Sequence, residues 1–366
     1  MQEKVKIDVL IIGAGIIGCA VASRISQLQK MNGKTIVIAE AGPRIAEGVT
    51  SRNSGVVHAG IYYPPHSLKA KTCVRGNALL YEWAQKHNVP IKNLGKLIVA
   101  SGEKQIEVLQ QIFINANESG AKDLSFLSRD EVTKREPSLK MDAAIWCPTT
   151  GIVDQFALTK SFLSDAQSRD VILTVNNSVK NITKMPSGSY QVMTSEGLLE
   201  TEIIINCAGL NSDEIAAMAQ INKYKIYPCR GDYFTFHSKV KFNHLIYPVK
   251  EPGAPGLGVH LTIDIDGKYK LGPDTEYVMT KNQFTPAEHK LEKFKTAAEK
   301  IFGPLEASQL SYDSCGIRPK LRSPEEKEER DFIVSEDQPG FINMVGIESP
   351  GLTASLALAD MIVGII

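Results

Sequence analysis

Gly13, Gly15 and Gly18 stand in the spacing GxGxxG between an apolar run, Val5 to Ile12, and a stretch of helical period, Ile16 to Gln29. No other feature constrains the chain as strongly. The first glycine permits a tight turn, the second lets backbone approach a pyrophosphate, and the third lets helix pack on strand, while the helix N-terminus faces the phosphates. A second apolar strand, Thr35 to Ala39, ends at Glu40, 22 residues beyond Gly18, where a carboxylate accepts hydrogen bonds from ribose hydroxyls. The segment therefore reads as a βαβ dinucleotide site rather than a bare glycine-rich turn, with Ile16, Ile17 and Ala41 as adjoining positions. Strand, turn and helix also explain Val9 to Ala22 better than a secretion signal does, because Asp8 and three glycines interrupt it.

The glycines alone do not choose between NAD and FAD, which share an ADP half. Ser51-Arg52-Asn53-Ser54-Gly55 and Val57 follow soon after Glu40 as a small polar loop suited to a diphosphate and an isoalloxazine edge. Late in the chain Cys207-Ala208-Gly209 follows a buried strand, Gly316 precedes Arg318, and Gly351-Leu352-Thr353 opens a helix; Val179 joins the same expected set. A dinucleotide touched by segments from both ends of a chain needs a discontinuous domain, and that favours FAD. The expected division is 1–88, 148–222 and 306–366 for the cofactor, and 89–147 and 223–305 for a substrate domain.

Composition removes several function classes. Forty-one basic residues balance 41 acidic ones, so no overall field favours nucleic acid, and no window reaches the roughly 20 apolar residues of a membrane span. The six cysteines are scattered, without metal-ligand spacing, and read as reduced thiols in a reducing, cytoplasmic compartment; a peripheral membrane contact stays open. The periodicities place helices at Ser67 to His87, Glu103 to Ser119, Ser128 to Glu136, Gly151 to Ser168 (opened by Asp154) and Pro286 to Phe302, and from Gly351 onward. Alternation across Lys225 to Asp274 reads as an antiparallel sheet, and the charge run Glu325 to Asp331 as a solvated hairpin or loop.

Residues 50–81, TSRNSGVVHAGIYYPPHSLKAKTCVRGNALLY, resemble the signature of the L-2-hydroxyglutarate dehydrogenase/oxidase family, a branch of the D-amino-acid-oxidase-like FAD enzymes. Gly95-Lys96-Leu97, Thr150 to Asp154, Cys207 to Leu210, Arg230 to Tyr233, Leu257 to His260 and Leu271 to Pro273 extend the resemblance in order along most of the chain. Arg52 stands where that family usually has His, and the segment between Pro273 and Gly316 is short, as in a compact subgroup. The resemblance implies an α/β fold with a Rossmann-like FAD-binding domain of the GR2/DAO type and a second α+β substrate domain built on an antiparallel sheet. It implies oxidation of L-2-hydroxyglutarate to 2-oxoglutarate by hydride transfer to flavin N5, with electrons passed on to a quinone, a flavoprotein or oxygen. The alternatives on the same scaffold are an amine or amino-acid oxidase, a glycerol-3-phosphate dehydrogenase, and a protein that holds FAD for structure.

Oxidising an α-hydroxy acid requires a group for the hydroxyl proton and a cation for the carboxylate. His58, just past the polar loop, is the first candidate base, and His260 on a substrate-domain strand competes with it. Arg230 and Arg318 are the candidate carboxylate forks, and Tyr62, Tyr63 and Tyr233 could add hydroxyl donors. Gly351 to Thr353 would turn the positive end of a helix toward the flavin pyrimidine. Cys315 is expected to be a buried thiol, with covalent attachment of flavin as the alternative.

Overall fold

The computed structural model describes residues 4–249 and 258–366. At its centre the strands run in the order Ile172–Thr174, Ile36–Ala39, Val9–Ile12, Ile203–Asn206, Phe341–Val345 and Ile333–Gln338, all parallel except the last hairpin. Val9–Ile12 is buried at every position, as expected of a parallel strand covered on both faces. Helices Ile16–Ile25, Leu68–Lys86, Gln155–Gln167 and Gly351–Ile365 form one layer over this sheet. On the other side lies a smaller sheet in the order Lys4–Lys6, Leu198–Thr201, Tyr190–Thr194, Val179–Lys184.

The second large sheet runs in the order Glu276–Tyr277, Tyr227–Phe236, Tyr269–Leu271, Leu261–Ile263, Leu245–Pro248, Lys96–Ala100, Ala143–Cys147 and Ser125–Ser128. Its pairings are antiparallel except between Leu245–Pro248 and Lys96–Ala100. Helices Glu103–Glu118 and Leu291–Phe302 pack against it. Strand Leu310–Lys320 pairs with Tyr227–Phe236 along its whole length, so residues expected with the nucleotide-binding part lie in this sheet. That long ladder sets Gly316 opposite Gly231 and Arg318 opposite Cys229, with Gly316 packed against the Arg52 backbone.

Several expectations change at the boundaries. The run Val5 to Ile12 breaks at Asp8, whose carboxylate accepts from the Thr35 amide at 2.7 Å and the Lys34 ammonium at 2.8 Å. Gly151–Val153 is a strand, and the helix begins only after Asp154, whose side chain accepts from Phe156 and Ala157 amides at 3.0 and 2.9 Å. The charged helix begins at Leu291, not Pro286. Leu257 of the motif Leu257 to His260 lies outside the described residues.

The charge run is not a free solvated loop. Asp331 accepts from the Leu68 and Lys69 amides at 2.6 and 2.9 Å, capping helix Leu68–Lys86 beside Ser67, and Glu329 meets Lys320 and Arg322. The free N–H groups of a helix start attract a carboxylate that charge counting alone cannot place.

Candidate active site

Gly13 has φ +103°, and a Cβ there would lie 2.7 Å from the Cys207 carbonyl oxygen; at Gly18 it would lie 2.0 Å from the Gly13 oxygen. The glycines thus bring strand, turn and helix into backbone contact, and Gly18 serves that packing without lining the cavity. Gly15 precedes helix Ile16–Ile25 in extended conformation, and the Ile16 amide donates to the Thr50 hydroxyl at 3.0 Å. The Glu40 carboxylate accepts from the Ala14 and Gly42 amides, each at 2.7 Å, which fixes it at the rim with lone pairs left for hydroxyl donors.

From this turn a cavity of about 1520 Å³ runs into the molecule. Ile16, Ile17, Ala41, Arg52, Asn53, Ser54, Val179, Cys207, Ala208, Gly209, Gly316, Gly351 and Leu352 line it along with Gly13, Gly15 and Glu40. Of the other expected positions, Ser51 is exposed and donates to the Glu47 carbonyl at 3.1 Å. Gly55, at φ +68°, packs on the Val153 carbonyl, and Val57 is buried in the core. The Thr353 hydroxyl accepts from the His58 amide at 3.0 Å and donates to the Val56 carbonyl at 3.3 Å, so it pins the start of helix Gly351–Ile365 to the loop. Like Gly18, these four do not line the cavity; their contacts hold the backbone that does.

At the inner end His58, His260, Arg318, Tyr62, Tyr63 and Tyr233 converge on the cavity. The His260 imidazole donates from Nδ1 to the Gly258 carbonyl at 2.8 Å, which leaves Nε2 as the basic nitrogen of the neutral ring. Burial, with Lys96 and Arg318 also opposing a second proton, pushes its pKa down to about 3. Burial, then Lys96 and His260, push His58 down to about 3 as well, and its Nε2 lies 3.3 Å from the Ser349 hydroxyl. Both imidazoles are therefore neutral acceptors. The Arg318 guanidinium donates to the carbonyls of Asp274 at 2.5 Å and Arg230 at 3.4 Å and forms no ion pair among the described residues, although its charge helps hold the buried Glu348 carboxyl below its ordinary pKa.

Arg230 corrects an expectation. It and Asp232 point to the opposite face of their strand from Gly231 and Tyr233, which line the cavity, as the two-residue period requires. The residue is 3 % exposed, and its guanidinium forks onto Asp232, with further bonds to the Gln283 and Thr285 carbonyls at 2.9 and 2.6 Å. It holds the loop carrying Phe284, over which Arg52 stacks at 4.0 Å. Cys315 is buried outside the cavity lining, with its thiol 3.8 Å from the Phe284 carbonyl.

Sequence reasoning missed Tyr247, which stacks on His260 with ring centroids 3.7 Å apart. It also missed Lys69 and Lys320, which share the buried Glu348 at 3.0 and 3.2 Å on the cavity wall. Tyr247 lay inside an alternating segment without any motif, and the lysines became visible only once distant segments met.

A family model described as "DAO: FAD dependent oxidoreductase" matches residues 8–365. The mitochondrial L-2-hydroxyglutarate dehydrogenase of Arabidopsis thaliana is 34 % identical over 98 % of this chain and 83 % of its own length. The glycerol 3-phosphate dehydrogenase of Caloramator mitchellensis is 29 % identical over 98 % of this chain and 73 % of its own. The structure of dithionite-reduced L-alpha-glycerophosphate oxidase from Mycoplasma pneumoniae, with FAD bound, superposes with TM-score 0.88 at 27 % identity, covering 98 % and 94 % of the two chains. The glycine turn open to a pyrophosphate, the helix start aimed along the cavity and the Glu40 rim fit a dinucleotide of this kind.

Proposed function

This chain belongs to the FAD dependent oxidoreductase family and uses FAD, and from that premise we propose that it oxidises a small L-2-hydroxy acid, L-2-hydroxyglutarate foremost, to the 2-oxo acid. The observation that carries the reading is the meeting of neutral imidazoles with a guanidinium bonded only to carbonyls among the described residues at the inner end of the cavity. FAD, when bound, supplies the acceptor for the Cα hydrogen and its electron pair. Arg318 takes the carboxylate beside the hydroxyl. His58, whose backbone is tied to the helix start at Thr353, accepts the hydroxyl proton, and His260 with Tyr247 orients the substrate from the facing sheet. In this reading residues 1–88, 148–222 and 306–366 serve mainly the cofactor and 89–147 and 223–305 the substrate, with strand Leu310–Lys320 shared between them. The reduced enzyme then hands its electrons to a quinone, a flavoprotein or oxygen. Among the described residues no helix is long and apolar enough to cross a membrane.

Glycerol 3-phosphate is the second reading, favoured by Lys69 and Lys320 on the cavity wall, but both lysines already face Glu348. Anaerobic titration of the flavin band near roughly 450 nm separates the two. Bleaching by L-2-hydroxyglutarate and not by glycerol 3-phosphate or amino acids is expected. The reverse order overturns the hydroxy-acid reading.

A further inference from the structure

Lys96 opens strand Lys96–Ala100 in the middle of the second large sheet, with Leu245 across from it on one side and Cys147 on the other. It is 1 % exposed. Both flanking strands prevent the long side chain from curling out to water, the usual escape for a lysine on an apolar surface. Alternation sends it to the same face as Ile98 and Ala100, toward the cluster that contains Ala59, Ile61 and Tyr62 directly after His58. Its ammonium lies over the Tyr62 ring at 5.0 Å and the Tyr247 ring at 4.7 Å, and pairs with no carboxylate among the described residues.

A lone buried ammonium costs folding free energy, with burial pulling its pKa below the ordinary lysine value, and two tyrosine faces offset only part of that cost. Methionine would fill the same space without it. The charges around Lys96 show what it could act on. Lys69 and Lys320 on the cavity wall share Glu348, Lys281 meets Asp213 and Glu214, and Arg52 stacks on Phe284. His58 and His260 are neutral, Tyr62 and Tyr247 keep their protons, and Cys73 and Cys147 are buried thiols. A negative charge entering between the imidazoles therefore meets Arg318 on one side and, through the tyrosine rings, Lys96 on the other. Among the described residues the Tyr62 hydroxyl is buried without a hydrogen-bond partner, which leaves a donor at the same place.

We propose that Lys96 is a positioning residue for an anionic substrate: its buried charge, acting through the Tyr62 and Tyr247 rings, makes the inner end of the cavity select carboxylates. The inference rests on the reading that this end receives the substrate. It adds a second positive pole, supplied by a residue that does not itself line the cavity. Because the charge is buried, salt should screen it little compared with a surface lysine.

The test uses the FAD-loaded protein, titrated anaerobically with 2-oxoglutarate and separately with acetate while the flavin spectrum is followed, alongside melting temperature and FAD content. In Lys96→Met the affinity for both anions is expected to fall at least about tenfold, with FAD content unchanged and melting temperature equal or higher. Lys96→Arg should retain most of the affinity, and Lys96→Gln repeats the neutral case should the methionine variant fold poorly. Unchanged anion affinity in the neutral variants overturns the proposal. So does a loss of affinity that accompanies loss of FAD and a lower melting temperature, since packing alone would explain that. If acetate binds the unsubstituted protein and 2-oxoglutarate does not, the named substrate fails, and the acetate comparison still decides Lys96. If neither anion binds it, the proposal fails too.

Discussion

The two ends of the cavity are built from different materials. The outer end is backbone: a glycine turn, a helix start and a rim carboxylate held by two amides, with the turn and rim drawn from residues 13–42. The inner end is side chains, with His58, His260, Arg318 and Tyr247 drawn from segments that meet only after the large sheet has formed. A backbone site tolerates little at its glycines and is indifferent to most side chains around it. A side-chain site should behave in the opposite way, losing chemistry one residue at a time while the fold stands.

The largest effect should come from Gly13→Val. Its side chain would start 2.7 Å from the Cys207 carbonyl on a backbone at φ +103°, so both space and conformation oppose it. The purified variant is expected to be colourless, with FAD retention down by more than about a hundredfold. A yellow protein with near-normal FAD affinity would break the comparison, because the turn would then not be a backbone device.

The same contrast explains what could be read in advance. GxGxxG with Glu40, the cap at Asp154 and helix Leu68–Lys86 are local features whose meaning is carried within one or two dozen residues. Arg230 and Arg318 looked alike in sequence, one just before Gly231 and the other two residues after Gly316, yet strand alternation and register send one to a buried carboxylate and the other to the cavity. Lys96 sat in an apolar strand as an ordinary edge residue would, and only the sheet order shows that it is central. The capping of helix Leu68–Lys86 by Asp331 joins residues more than 260 positions apart, beyond any local pattern.

The two arginines sharpen the comparison with a matched pair. Arg318→Met removes a cation from the cavity, and substrate affinity should fall by about a hundredfold with a small change in melting temperature. Arg230→Met leaves Asp232 and Lys290 without their third partner inside the sheet. Breaking such a buried network costs about 3–5 kcal/mol of stability, while the protein that remains folded should bind substrate nearly as well. If the two variants exchange these phenotypes, the assignment of the strand faces is wrong.

The smallest effect tests the neutrality of His260. Its folded pKa, pushed down to about 3 by burial, lies below the ordinary value of 6.5. The unfolded chain therefore takes up a proton, and the folded one does not, as pH falls from 6.5 toward 3. The stability associated with this group is fully present above 6.5 and is lost across that window, at up to about 1.4 kcal/mol per pH unit. His260→Gln keeps a donor for the Gly258 carbonyl and removes the titration. Between about pH 7.5 and 5.5, the melting temperature of the variant should fall less than that of the unsubstituted FAD-loaded protein, since every carboxylate contributes equally to both. Equal slopes would mean that His260 already carries its proton in the fold, in which case it could not accept a hydrogen bond at Nε2, and the inner end would hold its substrate with one more positive charge than this geometry allows.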